Sequence, residues 1–208
     1  MAHPNPNSRL EAFCDGVFAI AMTLLVLDIR LPPIATITTT RELWLSLARL
    51  LPSIFAFLLS FCIIFITWAN HHATLTVIDK TSSHFIYANG FLLLTVVLIP
   101  FTAALLGEYL LTDHASPAVV LYTAVDALQA LAWIFLTQTA LRPKPLTTSK
   151  SSTQAVGMAR RNGFFAFAIY GVCAILAFWF PLAVAVIITA TWVVWLIFGI
   201  RARTSLAA

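Results

Sequence analysis

Long uncharged apolar runs dominate the chain, in place of any alternation of apolar and polar positions. Residues 43–68 carry one charge, Arg49. Residues 85–106 carry none, residues 118–141 only Asp126, and residues 164–180 and 182–200 none. Each run meets or approaches the roughly 20 residues that an α-helix needs to cross a hydrocarbon core about 30 Å thick. Pro181 separates the last two runs with almost no loop, which predicts a tight helical hairpin. The missing N–H of that proline suits the first turn of the final helix.

The first run is shorter. Only residues 16–27 are uncharged, between Asp15 and Asp28, and twelve helical residues rise only about 18 Å. One reading is the apolar core of a signal peptide. Against it stand the acids at both ends and the lack of a small-residue cleavage pattern after Leu31. The other reading is a spanning helix whose acidic ends face water or protein, since charges near a bilayer are tolerated when they face a bundle interior or a wet cavity. The second reading predicts an all-α integral membrane protein with six transmembrane helices in a single domain over 1–208. Its spans are expected over 8–31, 43–69, 85–110, 117–141, 160–180 and 181–200.

Composition supports that class. Of 208 residues, 61% are hydrophobic and 10% charged, with a mean hydropathy of +0.93. Soluble domains are about half apolar and about a quarter charged. Disorder is excluded, and a net charge of +4 is too small for a nucleic-acid surface. The basic residues bear on orientation instead. Of 12 Lys and Arg, only Arg30, Arg41 and Arg49 fall on or toward one side. Arg9, Lys80, Arg142, Lys144, Lys150, Arg160, Arg161, Arg201 and Arg203 fall on the other. This bias predicts cytoplasmic N- and C-termini. The Ser/Thr-rich stretch 144–154 reads as a flexible loop. Trp44, Trp133, Trp179, Trp192 and Trp195 read in part as interfacial anchors. Cys14, Cys62 and Cys173 are far apart and form no disulfide or zinc pattern. No phosphate-binding loop, nucleophile elbow or His-Glu-x-x-His string is present, so no enzyme activity, cofactor or metal is expected.

The first span reads Arg9-Leu10-Glu11-Ala12-Phe13-Cys14-Asp15, continuing Gly-Val-Phe-Ala-Ile20-Ala-Met-Thr23-Leu24-Leu-Val-Leu27-Asp28-Ile29. The second ends Trp68-Ala69-Asn70-His71-His72. Together these strings resemble the transmembrane protein 175 family, whose animal members are endolysosomal potassium channels. The family pattern is Arg, three residues, then Phe-Ser-Asp, and Cys14 stands here in place of the serine. The resemblance implies a homotetramer of six-helix subunits around a central pore lined by helix 1, conducting potassium in preference to sodium. It places the main constriction five residues after the motif aspartate, at Ile20, with further layers at Thr23 or Leu24 and at Leu27.

The residues admit physical readings of their own. Ile20, Thr23, Leu24 and Leu27 fall on one helical stripe. Four copies around an axis would stack apolar rings, which gate by dewetting, with a hydroxyl ring among them. The same spacing also fits plain packing. Asp28 at the outer end reads either as a ring of carboxylates that concentrates cations at the pore mouth or as a solvated helix end. Antiparallel helices 1 and 2 would bring Arg9, Phe13, Cys14, Asp15, Trp68, Asn70, His71 and His72 to one end. There, guanidinium, indole and imidazole groups could donate to the carboxylate. A structural network, a pH-sensitive one, and a metal site or His/Asp acid–base pair are the readings of that group. Asp126, with Gln129 three residues on and Arg49 as its candidate partner, is either packing glue or a proton pathway. A proton-coupled secondary transporter is therefore the alternative to a passive channel.

Overall fold

A computed structural model describes residues 7–142 and 145–207, with side chains through residue 197. Lys144 lies outside the described residues, as do the side chains of Arg201 and Arg203. The elements are α1 (Ser8–Leu24), continued by a 3-10 turn over Leu25–Asp28, then α2 (Thr40–Ala48), α3 (Leu51–Thr76), α4 (Ser83–Tyr109), α5 (Ala115–Ala140), α6 (Lys150–Leu176) and α7 (Pro181–Ala207). Among the described residues, four stretches are long and apolar enough to cross a membrane: Ser8–Asp28, Leu51–Thr76, Ser83–Tyr109 and Ala115–Ala140. Pro181–Ile197 is a shorter apolar helix.

Several boundaries differ from the sequence expectation. The first span stops at Asp28 rather than residue 31, because Pro32 and Pro33 hold the preceding residues out of helical geometry. The second expected span divides in two. α2 begins at a capping box, in which Thr39 Oγ1 accepts from the Glu42 N–H at 3.2 Å while the Glu42 carboxylate accepts from the Thr39 N–H at 3.1 Å. It ends at Arg49, and Pro52 occupies the first turn of α3, where a proline costs no hydrogen bond. α3 then runs past residue 69 to Thr76, which keeps His71 and His72 helical. The loop expected over 144–154 is partly helix. Ser149 caps α6 by accepting from the Ser152 N–H at 3.1 Å, and the Thr147 and Thr153 hydroxyls bond at 2.6 Å. Pro181 opens α7 as expected. Pro100 lies within α4 without ending it.

α5 is packed against α4, α6 and α7, and α4 lies between α3 and α5. Among the described residues α1 packs chiefly on α3 and α4. A large apolar core joins α1, α3, α4, α5, α6 and α7. A smaller one, including Leu75, Phe85, Leu92, Leu136 and Val156, closes one end. At that end Ile78 and Thr147 form an antiparallel bridge, Asp79 N–H donates to the Leu146 carbonyl at 2.8 Å, and Asn7 Nδ2 donates to the Ile78 carbonyl at 2.8 Å. The start of α1 is thereby fixed beside the end of α3. α3 and α4 approach closely at Gly107, where an added Cβ would lie 2.8 Å from Ser53 Cα.

Candidate pore-lining face and the polar network behind it

α1 has two unlike faces. Cys14, Phe18, Ala21 and Leu25 are all at most 1% exposed. Their spacing of four, three and four residues is that of one helical face. The opposite face carries Phe13, Gly16, Ile20, Thr23, Leu24 and Leu27. Ile20 is 60% and Leu27 70% exposed in the subunit. This is the stripe of branched side chains singled out from the sequence, and it lies free of the subunit's own core. The Thr23 hydroxyl donates to the Ile20 carbonyl at 2.9 Å, which leaves its lone pairs as acceptors. Asp28 does not continue the stripe. It is half-buried and lines a crevice with Leu25, Ser53, Phe57, Ala103, Ala104 and Gly107.

Behind the buried face lies a polar network that sets the rotation of α1. Trp68 Nε1 donates to Asp15 Oδ1 at 2.8 Å. His71 Nε2 and Asn89 Oδ1 are 2.6 Å apart. An amide oxygen only accepts, so His71 Nε2 is the donor. Asn89 Nδ2 then donates to Cys14 Sγ at 3.0 Å. One amide therefore ties α4 to α1 and α3 together. The His72 ring stacks on Trp68, with centroids 6.0 Å apart, and its Nδ1 lies 3.0 Å from Glu11 Oε1. Phe18 packs against the His71 ring at 5.4 Å, and Trp133 meets that ring edge-on from α5 at 6.4 Å.

The structure brings together Cys14, Asp15, Trp68, His71 and His72. It leaves out three other residues expected beside them. Arg9 and Asn70 are exposed, and Phe13 is 63% exposed on the free face. Asn89 and Glu11 were missed. Asn89 was visible as the lone amide in the uncharged third span, and Glu11 as an acid one turn before Asp15. Among the described residues no group of three metal-ligating side chains converges.

The expected pairing of Asp126 with Arg49 is overturned. Arg49 ends α2 and is exposed, because the helix break lifts it out of the span. Asp126 is 3% exposed and Gln129 2%, with Asp126 Oδ2, Gln129 Nε2, Tyr170 Oη and Trp192 Nε1 finding no partner among the described residues. Nearby, Tyr122 and Ser60 share a hydroxyl–hydroxyl bond of 2.9 Å, and Tyr170 stacks on Trp192 at 5.7 Å. Of the tryptophans read as anchors, Trp44 and Trp179 are well exposed, while Trp192 is buried in the core.

A largely helical chain with four such apolar spans and wide lipid-compatible surfaces is a multi-pass membrane protein. Residues 9–100 match the family described as endosomal/lysosomal potassium channel TMEM175. A potassium channel of Chamaesiphon minutus is 37% identical over 191 residues, covering 85% of this chain and 94% of that one. A potassium channel of Streptomyces collinus is 39% identical over 140 residues, 65% of this chain and 66% of that one. The fold agrees with the crystal structure of a lysosomal potassium-selective channel TMEM175 homologue from Chamaesiphon minutus, at a TM-score of 0.84 and 32% identity over 94% of this chain and 99% of that one. A crystal structure of the potassium channel MtTMEM175 shares the fold at a TM-score of 0.66 and 18% identity over the whole of both chains. The chain belongs to the TMEM175 family, and it is not an enzyme.

Proposed function

We propose that this chain is one subunit of a potassium-selective channel whose pore is lined by the free face of α1. The observation that carries the reading is the one-sided packing of that helix. A subunit that leaves Ile20, Thr23, Leu24 and Leu27 exposed along about 10 Å of axis has a surface that calls for either lipid, another subunit or a pore. The network behind the helix holds that surface in one orientation. Four subunits around an axis would turn the stripes into stacked rings, with Ile20 the narrowest, Thr23 adding acceptor oxygens, and Leu24 and Leu27 above. Such rings exclude or admit ions by how readily each gives up its water. The Asp28 carboxylates at the outer end would add negative potential that draws cations in.

In this reading the subunit crosses the membrane six times, with α6 and α7 supplying the last two spans and α2 lying outside the count. Potassium is the permeant ion, the partners are three further copies and the lipid, and no cofactor is required. The basic residues favour cytoplasmic termini, and the likeness to bacterial potassium channels favours the plasma membrane of a prokaryote. The proton-coupled transporter rests on one observation, the buried Asp126, whose Oδ2 finds no partner among the described residues and which lies on α5 rather than on the helices that α1 chiefly packs against.

Flux from liposomes loaded with potassium tests the reading. Potassium flux that exceeds sodium flux, needs no proton gradient and changes in Ile20→Asn is the expected result. Flux that requires a proton gradient and vanishes in Asp126→Asn would establish the transporter instead.

A further inference from the structure

At the outer end of α1 the chain turns back against α3 and α4 and encloses a crevice. Its walls are Leu25, Asp28, Ser53, Phe57, Ala103, Ala104 and Gly107, and its free volume is about 10 Å³. That is close to the least space that holds one water-sized sphere. Asp28 and Ser53 are the residues with polar side chains among its walls, and the Ser53 hydroxyl meets the Gly107 carbonyl. The last two are joined only by a long contact of 3.4 Å, so the carbonyl keeps acceptor capacity. The rest of the lining is apolar. Arg30 is within electrostatic reach of Asp28 but exposed, and it makes no ion pair with Asp28 among the described residues.

We propose that this crevice is a binding site for a single monovalent cation, held by Asp28, Ser53 and Gly107 beside the pore rather than in it. The inference rests on the channel reading and adds to it a place where an ion waits before entering. Three considerations select the ligand. Hydroxyl, carbonyl and carboxylate oxygens are the hard ligands that suit alkali and alkaline-earth cations. One carboxylate balances one positive charge, and a divalent ion would leave a net charge in a half-buried apolar surround, which is costly. The volume admits an ion that has exchanged part of its hydration shell for these oxygens, with water completing the shell from the open side. The close approach of α3 and α4 creates the site. Gly107 lets Ser53 reach across, and a Cβ there would collide with the Ser53 backbone.

Crystals of the full channel grown in rubidium, with anomalous scattering measured at the rubidium edge, test the proposal. The expected result is a peak between Asp28 and Ser53 in every subunit, lost in Asp28→Asn and weakened in Ser53→Ala. Both substitutions keep the local shape. Peaks on the channel axis with none in the crevice would overturn the proposal and leave the channel reading intact. A crevice peak with none along the axis would support the cation site and count against the pore. A feature in the crevice without anomalous signal would identify bound water and overturn the cation assignment.

Discussion

Two neighbouring positions on α1 should respond in opposite ways to truncation. Phe18 is fully buried and packs on the His71 ring. Ile20, two residues on, lies on the free face. In lipid the transfer of apolar atoms from water contributes little to helix association, so packing carries the effect. Phe18→Ala removes the phenyl ring and leaves a void of roughly 100 Å³, which at about 24 cal/mol per Å³ costs about 2.4 kcal/mol. For a chain of this size each kcal/mol moves the melting temperature by about 2–4 °C, so a fall of roughly 5–10 °C is expected. Ile20→Ala opens no void inside the subunit and should move melting by less than about 2 °C, within the ordinary range for positions outside the core. Its effect should appear in ion flux. Thermal unfolding of the purified channel in detergent, followed by intrinsic fluorescence, gives both numbers. Equal shifts for the two variants, or a larger one for Ile20→Ala, would refute the assignment of the two faces.

Other expectations follow from the same geometry. Trp68→Phe keeps an aromatic ring on His72 but removes the donor to Asp15, and should cost about 1–3 kcal/mol, read as a lower melting temperature with unchanged ion preference. Gly107→Ala drives a methyl group into the Ser53 backbone and should lower stability by about 1–3 kcal/mol, whereas Gly16→Ala, with no atom within 4 Å of the added Cβ, should not. At Glu42, hydrogen bonds from the Thr38 hydroxyl and N–H and from the Thr39 N–H hold the carboxyl below its usual range. A lowered folded value means that the cap's contribution is present above the unfolded value, about 4.3, and fades as pH falls through the folded one. Hydrogen exchange in α2 should therefore quicken under acid, and Glu42→Gln should remove that dependence. Exchange rates in α2 indifferent to pH, after correction for intrinsic chemistry, would contradict the cap.

The long apolar spans were legible because a bilayer demands an unbroken run of about 20 apolar residues, and a run survives in sequence as a run. The free stripe of α1 was legible for a related reason, as helical spacing fixes which residues share a face. Which face is buried was less so. The apolar side chains Phe13 and Phe18 look alike in sequence, yet one is exposed and the other buried. What separates them is the set of tertiary bonds from Asn89 and Trp68, made across 75 and 53 residues. Arg49 misled for a local reason. An arginine within an apolar run suggested an intramembrane ion pair, but the capping box at Thr39 and the proline at position 52 define a separate short helix. Charge near a span cannot be given a depth until such breaks are located. The start of α6 was missed because Ser and Thr suggest a linker by composition, while a single serine in the right place is a helix cap.

In the channel reading the free face of α1 faces the ions. Cysteines placed singly at Phe18, Ile20, Ala21, Thr23, Leu24 and Leu27, in a Cys62→Ser background that leaves buried Cys14 and Cys173 in place, test it directly. Potassium current is recorded during exposure to a charged, thiol-reactive methanethiosulfonate. Block is expected at 20, 23, 24 and 27 and none at 18 and 21. Block at 18 and 21 with none at 20 and 27 would place the ion path elsewhere.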